Sequence, residues 1–149
     1  MRVSVRYASL YDLDALVPLF DAYRVFYGQY SDPGSARTFL AERLAHRESV
    51  ILLAELDGEP VGLLQLYPLF CSLRMSRIWL LNDLFVAAAH RSQGVARQLM
   101  AKAEEHAQHS GANRLELSTA HTNKQAQALY ESLGYRLDEV FRYYALDIA

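Results

Sequence analysis

The chain has 149 residues, 52% of them hydrophobic and 21% charged, and its formal net charge is -2. This length is close to the commonest size of one domain, and the apolar content supports a packed core and excludes a disordered chain. The charge balance lacks the basic footprint of a general nucleic-acid binder, no stretch approaches the roughly 20 apolar residues of a membrane span, and the lone cysteine, Cys71, allows no internal disulfide. Met1 to Tyr7 alternates charged and apolar residues and lacks the apolar centre of a signal peptide. The expectation is one soluble cytoplasmic domain over residues 1–149, with neither nucleic acid nor membrane as a partner.

Val3, Val5 and Tyr7 alternate with polar residues and predict a first strand. Ser9 followed by Asp12 gives a capping-box pattern, with Asp in place of Glu, ahead of a helix carrying Leu13, Val17, Phe20 and Tyr23 at helical spacing. Pro18 predicts a kink or break near Val17. A turn-rich Gly28 to Gly34 segment ends that helix. A second is expected from Ser35, read as its cap, to about His46. Val50 to Leu56 and Val61 to Phe70, joined by Asp57-Gly58, read as a hairpin. Ile78 to Val86 predicts a strand, Val95 to His109 a helix closed by Gly111, and Arg114 to Ser118 a short strand. Asn123 to Leu133 predicts a helix stopped by Gly134, and Tyr135 to Leu146, rich in aromatic and β-branched residues, a last strand. The order β-α-α-β-β-β-α-β-α-β implies an α/β fold (α+β mixed). A mixed sheet of six or seven strands would be flanked by about four helices on both faces.

The stretch His90-Arg91-Ser92-Gln93-Gly94-Val95-Ala96-Arg97 joins an apolar strand to a helix start. Gly94 tolerates unusual φ, Ala96 keeps the first turn thin, and the amides from Ser92 to Arg97 can converge on an anion at the positive end of the helix dipole. A diphosphate suits such a site. With one glycine and no Gly-Lys-Ser/Thr, the stretch is neither a Rossmann fingerprint nor a Walker loop, and by itself it also reads as an ordinary strand-to-helix turn. Downstream, Asn123-Lys124-Gln125-Ala126-Gln127-Ala128-Leu129-Tyr130-Glu131-Ser132-Leu133-Gly134-Tyr135 places Asn123 at a helix start, and Tyr130 on one side with Ala126, Leu129 and Leu133. Tyr130 alone reads equally as a core tyrosine.

Taken together, order, spacing and strand context resemble the GNAT superfamily of acyl-CoA-dependent N-acetyltransferases over nearly the whole chain. Arg91 to Ala96 resembles its Arg/Gln-x-x-Gly-x-Gly/Ala pyrophosphate loop, and Asn123 to Tyr135 its Asn-x-x-Ala-x-x-Leu-Tyr-x-x-x-Gly-Tyr/Phe segment. The resemblance implies acetyl-CoA as co-substrate. Main-chain groups of Leu84, Phe85 and Val86 would bind the pantetheine arm as a strand would. Amides of Ser92, Gln93, Gly94, Val95, Ala96 and Arg97, behind Arg91, would hold the diphosphate. Asn123 would touch the arm, and Tyr130 would stand by the sulfur. A homodimer is likewise expected from the resemblance.

The chemistry fits. Attack of an amine on the thioester places charge on oxygen and then on sulfur. A main-chain N–H near Phe85 or Val86 is suited to the first, and a phenol of ordinary pKa about 10 to the second. The attacking amine must shed a proton. Leu81-Asn82-Asp83-Leu84-Phe85-Val86 resembles the diamine-acetyltransferase branch, but that branch's glutamate is Asn82 here, and an amide cannot accept a proton. Asp83 is the leading candidate to bind or deprotonate the amine, a role in bonding neighbouring backbone being the other reading; Glu55 stands second. Tyr23, Phe26, Tyr27 and Tyr30 form an aromatic segment that either walls the amine by cation–π contact or packs over the core, and Trp79 could join either arrangement. His46, His106 and His109 read as solvated. His90 precedes the phosphate loop, and His121 precedes Asn123 and is a further candidate to line the active site. Metal-ligand spacing is absent, so no metal is expected, and Cys71 reads as a structural thiol because direct transfer needs no covalent nucleophile. The expected activity is transfer of acetyl from acetyl-CoA to a small primary amine such as a diamine, amino acid or amine metabolite. The rivals are a protein lysine or N-terminal acetyltransferase and a non-catalytic acyl-CoA-binding regulatory domain.

Overall fold

The structure, a computed structural model, describes residues 2–149; Met1 lies outside them. The chain divides into two compact units, the first ending at Leu117 and the second spanning Ser118–Ala149. In chain order the first unit contains β1 (Val3–Tyr7), α1 (Leu13–Phe26), α2 (Pro33–Ala45), β2 (Val50–Leu56), β3 (Glu59–Cys71), β4 (Ser76–Val86), α3 (Val95–His109) and β5 (Leu115–Leu117). The strands lie side by side in sequence order, antiparallel from β1 to β4 and parallel between β4 and β5. The return through α3 is what lets β5 run parallel to β4.

Strand alternation sends two sets of side chains to two helical layers. Ile51, Leu53 and Leu63 pack against Leu16, Val17, Leu19 and Phe20 of α1 and Ala36 and Leu40 of α2. Leu52 and Leu64, opposed in the β2–β3 ladder, are fully buried on the other face. That face is covered by α3, which buries Val95, Leu99, Met100, Ala103 and Ala107. With both faces covered, β2 is buried along nearly its whole length, which is why its sequence reads as a continuous apolar run.

The Ser9–Asp12 capping box forms, but it opens a short 3-10 turn, Leu10–Asp12, ahead of α1. The kink expected at Pro18 does not break α1, which runs unbroken from Leu13 to Phe26. Pro18 points outward, where solvent can reach the carbonyl its missing N–H would have served, and the buried pairs Leu16–Val17 and Leu19–Phe20 pin the helix on either side. The second helix begins two residues earlier than read, at Pro33. Its cap is Asp32, whose carboxylate accepts the Ser35 N–H at 3.1 Å, so Ser35 lies inside the first turn. Asp57 and Gly58, at φ of 51° and 86°, make the tight turn of the β2–β3 hairpin.

In the second unit, α4 (Lys124–Ser132) starts on Asn123, whose side chain accepts the Ala126 N–H at 3.2 Å, and ends before Gly134. The last strand expected over Tyr135 to Leu146 is absent, so among the described residues the sheet has five strands rather than six or seven. Alternation supplies a strand with a face but not with a ladder partner. Here the Asp138 carboxylate accepts the N–H groups of Val140 and Phe141, at 2.8 and 3.0 Å, and bends the segment into a local turn.

Candidate functional site

β4 is longer than the neighbour it pairs with on one side. β5 covers only Trp79, Leu80 and Leu81, so among the described residues the stretch from Asn82 to Val86 has no strand beside it on that edge. On its other side the β3 ladder matches Gln65 with Asp83 and Leu66 with Leu81, leaving Asn82 as an extra residue. This bulge sits where the β5 ladder stops. Bulges bend a strand and re-aim its side chains, and they concentrate next to active sites. The edge of β4 from Asn82 to Val86 is thus open to a strand-like ligand, with the Val86 carbonyl already engaged by Arg91.

Past Val86 the chain makes a short 3-10 turn, Ala88–His90, and then the glycine turn. Ser92 and Gly94 both take left-handed backbone, at φ of 63° and 81°, and Gly94 occupies the cap position of α3 without any side chain capping the first turn. A Cβ built on Gly94 meets nothing within 4 Å. The requirement for glycine is therefore conformational, since a Cβ there would stand in open space. Val95 is buried against the sheet while Ser92, Gln93, Gly94 and Arg97 are exposed and Ala96 is half-buried. This turn fits a diphosphate through main-chain donors. Arg91, at the start of the turn, has its side chain directed at β4 and two rings. Its Nε donates to the Val86 carbonyl at 3.0 Å, and its guanidinium lies 5.3 Å from the Phe26 ring centre and 5.5 Å from that of Phe85.

Asp83 is 5% exposed and faces the α1–α2 layer with Phe85 and Gln65. Gln65 Nε2 donates to Asp83 Oδ2 at 2.8 Å, and Asn82 Nδ2 donates to Asp83 Oδ1 at 3.1 Å. The Tyr23 hydroxyl donates to the Asn82 carbonyl at 3.3 Å and also supports the carboxylate. Burial pushes the Asp83 carboxyl above its ordinary value, and the hydrogen bonds from Gln65, Tyr23 and Asn82 pull it partly back. All three partners are neutral. A buried carboxylate held only by neutral groups is suited to a cation or to a proton. Nearby, burial and the charge of Asp83 raise the Tyr67 phenol to about 12, with Arg43 opposing.

The aromatic segment is only partly gathered here. Tyr23 stands 6.1 Å from Phe85 and 5.2 Å from Tyr27, and Tyr27 stands 5.2 Å from Phe26. Tyr30 is 93% exposed and takes no part in these ring contacts; its carbonyl accepts from Arg24 at 3.1 Å. Trp79 belongs elsewhere, donating to Ser110 Oγ at 2.8 Å and edging onto His106. Glu55 is taken up by an ion pair with Arg6 at 2.9 Å. His106, expected to be solvated, packs against Trp79 and Tyr7. In the second unit, Tyr130 on α4 lies 6.1 Å from Tyr135, whose N–H donates to the Tyr130 carbonyl at 3.0 Å. His121 is exposed there, its carbonyl accepting from Gln127 at 3.1 Å. Among the described residues no cluster of three or more His, Cys, Asp or Glu side chains could hold a metal ion. Sequence reasoning missed Gln65, Ser49 and Tyr67. The available signal was Gln65, a lone amide inside the apolar run Val61 to Leu66.

Residues 16–135 match the model of the acetyltransferase (GNAT) family. The chain is 45% identical over 146 residues to the uncharacterized N-acetyltransferase YhfO of Bacillus subtilis (strain 168), covering 98% of each chain. It is 30% identical over 143 residues to a probable acetyltransferase of Haemophilus influenzae, covering 95% of this chain and 96% of that one. The crystal structure of a probable acetyltransferase, 46% identical, superposes with a TM-score of 0.92 over 100% of this chain and 99% of the other. A bulged β4 that outruns its neighbour, an open glycine turn at the head of α3 and these full-length likenesses lead to one conclusion: the chain belongs to the GNAT family and is an acyl-CoA-dependent N-acetyltransferase.

Proposed function

We propose that the enzyme acetylates a small amine-bearing molecule, such as a diamine, an amino acid or another amine metabolite, with acetyl-CoA as donor and Asp83 as the group that binds and deprotonates the acceptor. The observation carrying this reading is a carboxylate buried among neutral partners, Gln65, Asn82 and Tyr23, beside the β4 bulge. An acceptor ammonium supplies the missing positive charge, and a carboxyl whose affinity for protons is raised by burial is a better base than an exposed one. Tyr23, Phe26 and Tyr27 would offer ring faces to the cation near the same strand, the exposed Tyr30 standing apart from them. The similarity of the run Leu81 to Val86 to the diamine branch supports a small, basic acceptor.

Acetyl-CoA supplies the activated acyl group. In the transfer the amine nitrogen bonds to the acetyl carbon as the carbon–sulfur bond breaks. The ammonium proton goes to Asp83, the departing sulfur takes one from Tyr130, and the second proton that the nitrogen sheds as the amide forms returns the Tyr130 phenolate to the phenol. We assign Tyr130 that role, and Asn123 a contact to the cofactor arm, from the family motif. Main-chain groups of Leu84, Phe85 and Val86 would hold the arm, with the turn from Arg91 to Arg97 on the diphosphate. We further propose a cytoplasmic, single-domain homodimer. Support comes from one family model spanning both compact units, from the free thiol of Cys71, and from exposed apolar side chains in the second unit. Among the described residues no helix is long and apolar enough to cross a membrane.

The test is release of free CoA thiol with a panel of diamines, amino acids and amino sugars, run for the native enzyme and for Asp83→Asn. The expected result is turnover with a small amine and a loss of about 100-fold or more in kcat for the variant, the usual scale of general-base catalysis. Native turnover restricted to peptide amines, or a variant with unchanged kcat where chemistry limits the rate, would overturn the reading.

A further inference from the structure

Behind Asp83 stands a second, deeper amide that no part of the proposed chemistry has used. Gln65 is fully buried in the middle of β3, in a strand otherwise apolar from Val61 to Leu66. An amide at such a position costs stability unless both of its ends are satisfied. Both are. Ser49 Oγ donates to Gln65 Oε1 at 2.7 Å, and Gln65 Nε2 donates to Asp83 Oδ2 at 2.8 Å. Ser49 lies half-buried between α2 and β2, so this column crosses from the edge of the helical layer, through β3, to the bulged part of β4.

We propose that Gln65, oriented by Ser49, is a positioning residue that aims the Asp83 carboxylate at the acceptor amine. The geometry carries this. The Ser49 hydroxyl engages the amide oxygen, which turns the NH2 group toward β4. That NH2 takes one lone pair of Oδ2, Asn82 takes one of Oδ1 and the Tyr23 hydroxyl also supports the group, fixing the carboxylate plane and leaving one acceptor site for the substrate N–H. Only an amide has a donor and an acceptor at this reach; Glu would oppose the carboxylate with like charge, and Leu would leave it without the donor. The titratable groups facing Asp83 are Tyr23 from α1 and Tyr67 from β3, with Arg43 of α2 acting on Tyr67. The Tyr67 phenol is pushed up to about 12, and comparison with Asp83→Asn identifies the acidic limb that belongs to Asp83.

The inference rests on the assignment of Asp83 as base, and the experiment separates the two. Rates are measured against pH for the native enzyme, Gln65→Leu, Ser49→Ala, Asp83→Asn and the double variant Gln65→Leu/Asp83→Asn. Loss of a donor to the carboxylate raises its pKa, so Gln65→Leu should move the acidic limb of kcat/KM up by about one pH unit and lower kcat about tenfold, with KM for acetyl-CoA unchanged. Ser49→Ala should do the same to a smaller extent, and it decides the matter if Gln65→Leu does not fold. In the Asp83→Asn background, Gln65→Leu should add no further loss. A native pH profile in both folded variants, with only thermal stability reduced, would make Gln65 a structural residue and overturn the inference while leaving Asp83 as base. Native activity in Asp83→Asn would overturn the assignment beneath it.

Discussion

Gly62 shows how one missing side chain sets the distance between two layers. A Cβ placed there would lie 2.9 Å from the Phe85 carbonyl oxygen, 3.3 Å from Leu99 Cδ1 and 3.4 Å from Val95 Cγ1. The first is main chain in the open-edged part of β4, and the other two belong to the opening turns of α3. Replacing Gly62 with Ala must push the bulged strand, helix α3 or both. Overpacking of this kind costs about 1–3 kcal/mol, which should appear as a lower urea midpoint with unchanged slope, together with weaker acetyl-CoA binding by calorimetry. At the same scale the sequence was a sound guide to conformation and a poor one to partners. Gly94, Asn123 and the Ser9–Asp12 box take the conformations their residue types favour. The Arg91 side chain, by contrast, turns to the Val86 carbonyl and two rings, a choice that depends on neighbours distant in sequence.

Among the elements, α3 runs from the glycine turn at its start to a polar cluster at its end. His106 Nδ1 lies 2.8 Å from the Tyr7 hydroxyl of β1, its Nε2 is buried without a hydrogen-bond partner, and its ring edges onto Trp79 of β4. Burial first, then the charges of His109 and Lys102, hold its pKa below the ordinary 6.5. Above 6.5 the ring is neutral in both folded and unfolded chains. As pH falls through that value, the unfolded chain binds a proton that the folded chain refuses, so stability declines until the lower folded pKa is reached. The urea midpoint should therefore drop between roughly pH 7.5 and 5.5, and His106→Phe should show a shallower drop over the same range. Equal slopes would remove His106 as the cause. Helix α1 teaches a related lesson. Its proline predicts a break from local rules, yet four buried side chains around it keep the helix whole.

For the molecule as a whole, the second unit ends in a segment whose apolar side chains have no cover. Leu137, Val140, Phe141, Tyr144, Leu146 and Ile148 are 62–87% exposed. So many exposed apolar side chains in one short segment suit an interaction site, and a second copy of the chain is the partner the proposed dimer supplies. Sedimentation should find a dimer, and a double change of Phe141→Asp with Leu146→Asp should convert it to a monomer that retains acetyl-CoA affinity in the first unit's turn. A native chain that sediments as a monomer would retire the dimer. The absent last strand has the same origin. Tyr135 to Leu146 has the composition of a strand, but composition cannot provide the ladder that makes one.

By itself the sequence determined what depends on short-range chemistry: the hairpin turn, the caps at Ser9 and Asn123, the helix over Val95 to His109, the glycine turn at its head and the two motifs that resemble the family. These follow from backbone preference and side-chain period, which act over a few residues. Only the tertiary structure decided the bulge at Asn82, the end of β5 at Leu117 and the column from Ser49 through Gln65 to Asp83. Each joins residues separated by 16 or more positions or depends on strand register, and register is set by packing across the whole sheet rather than by any local stretch of chain.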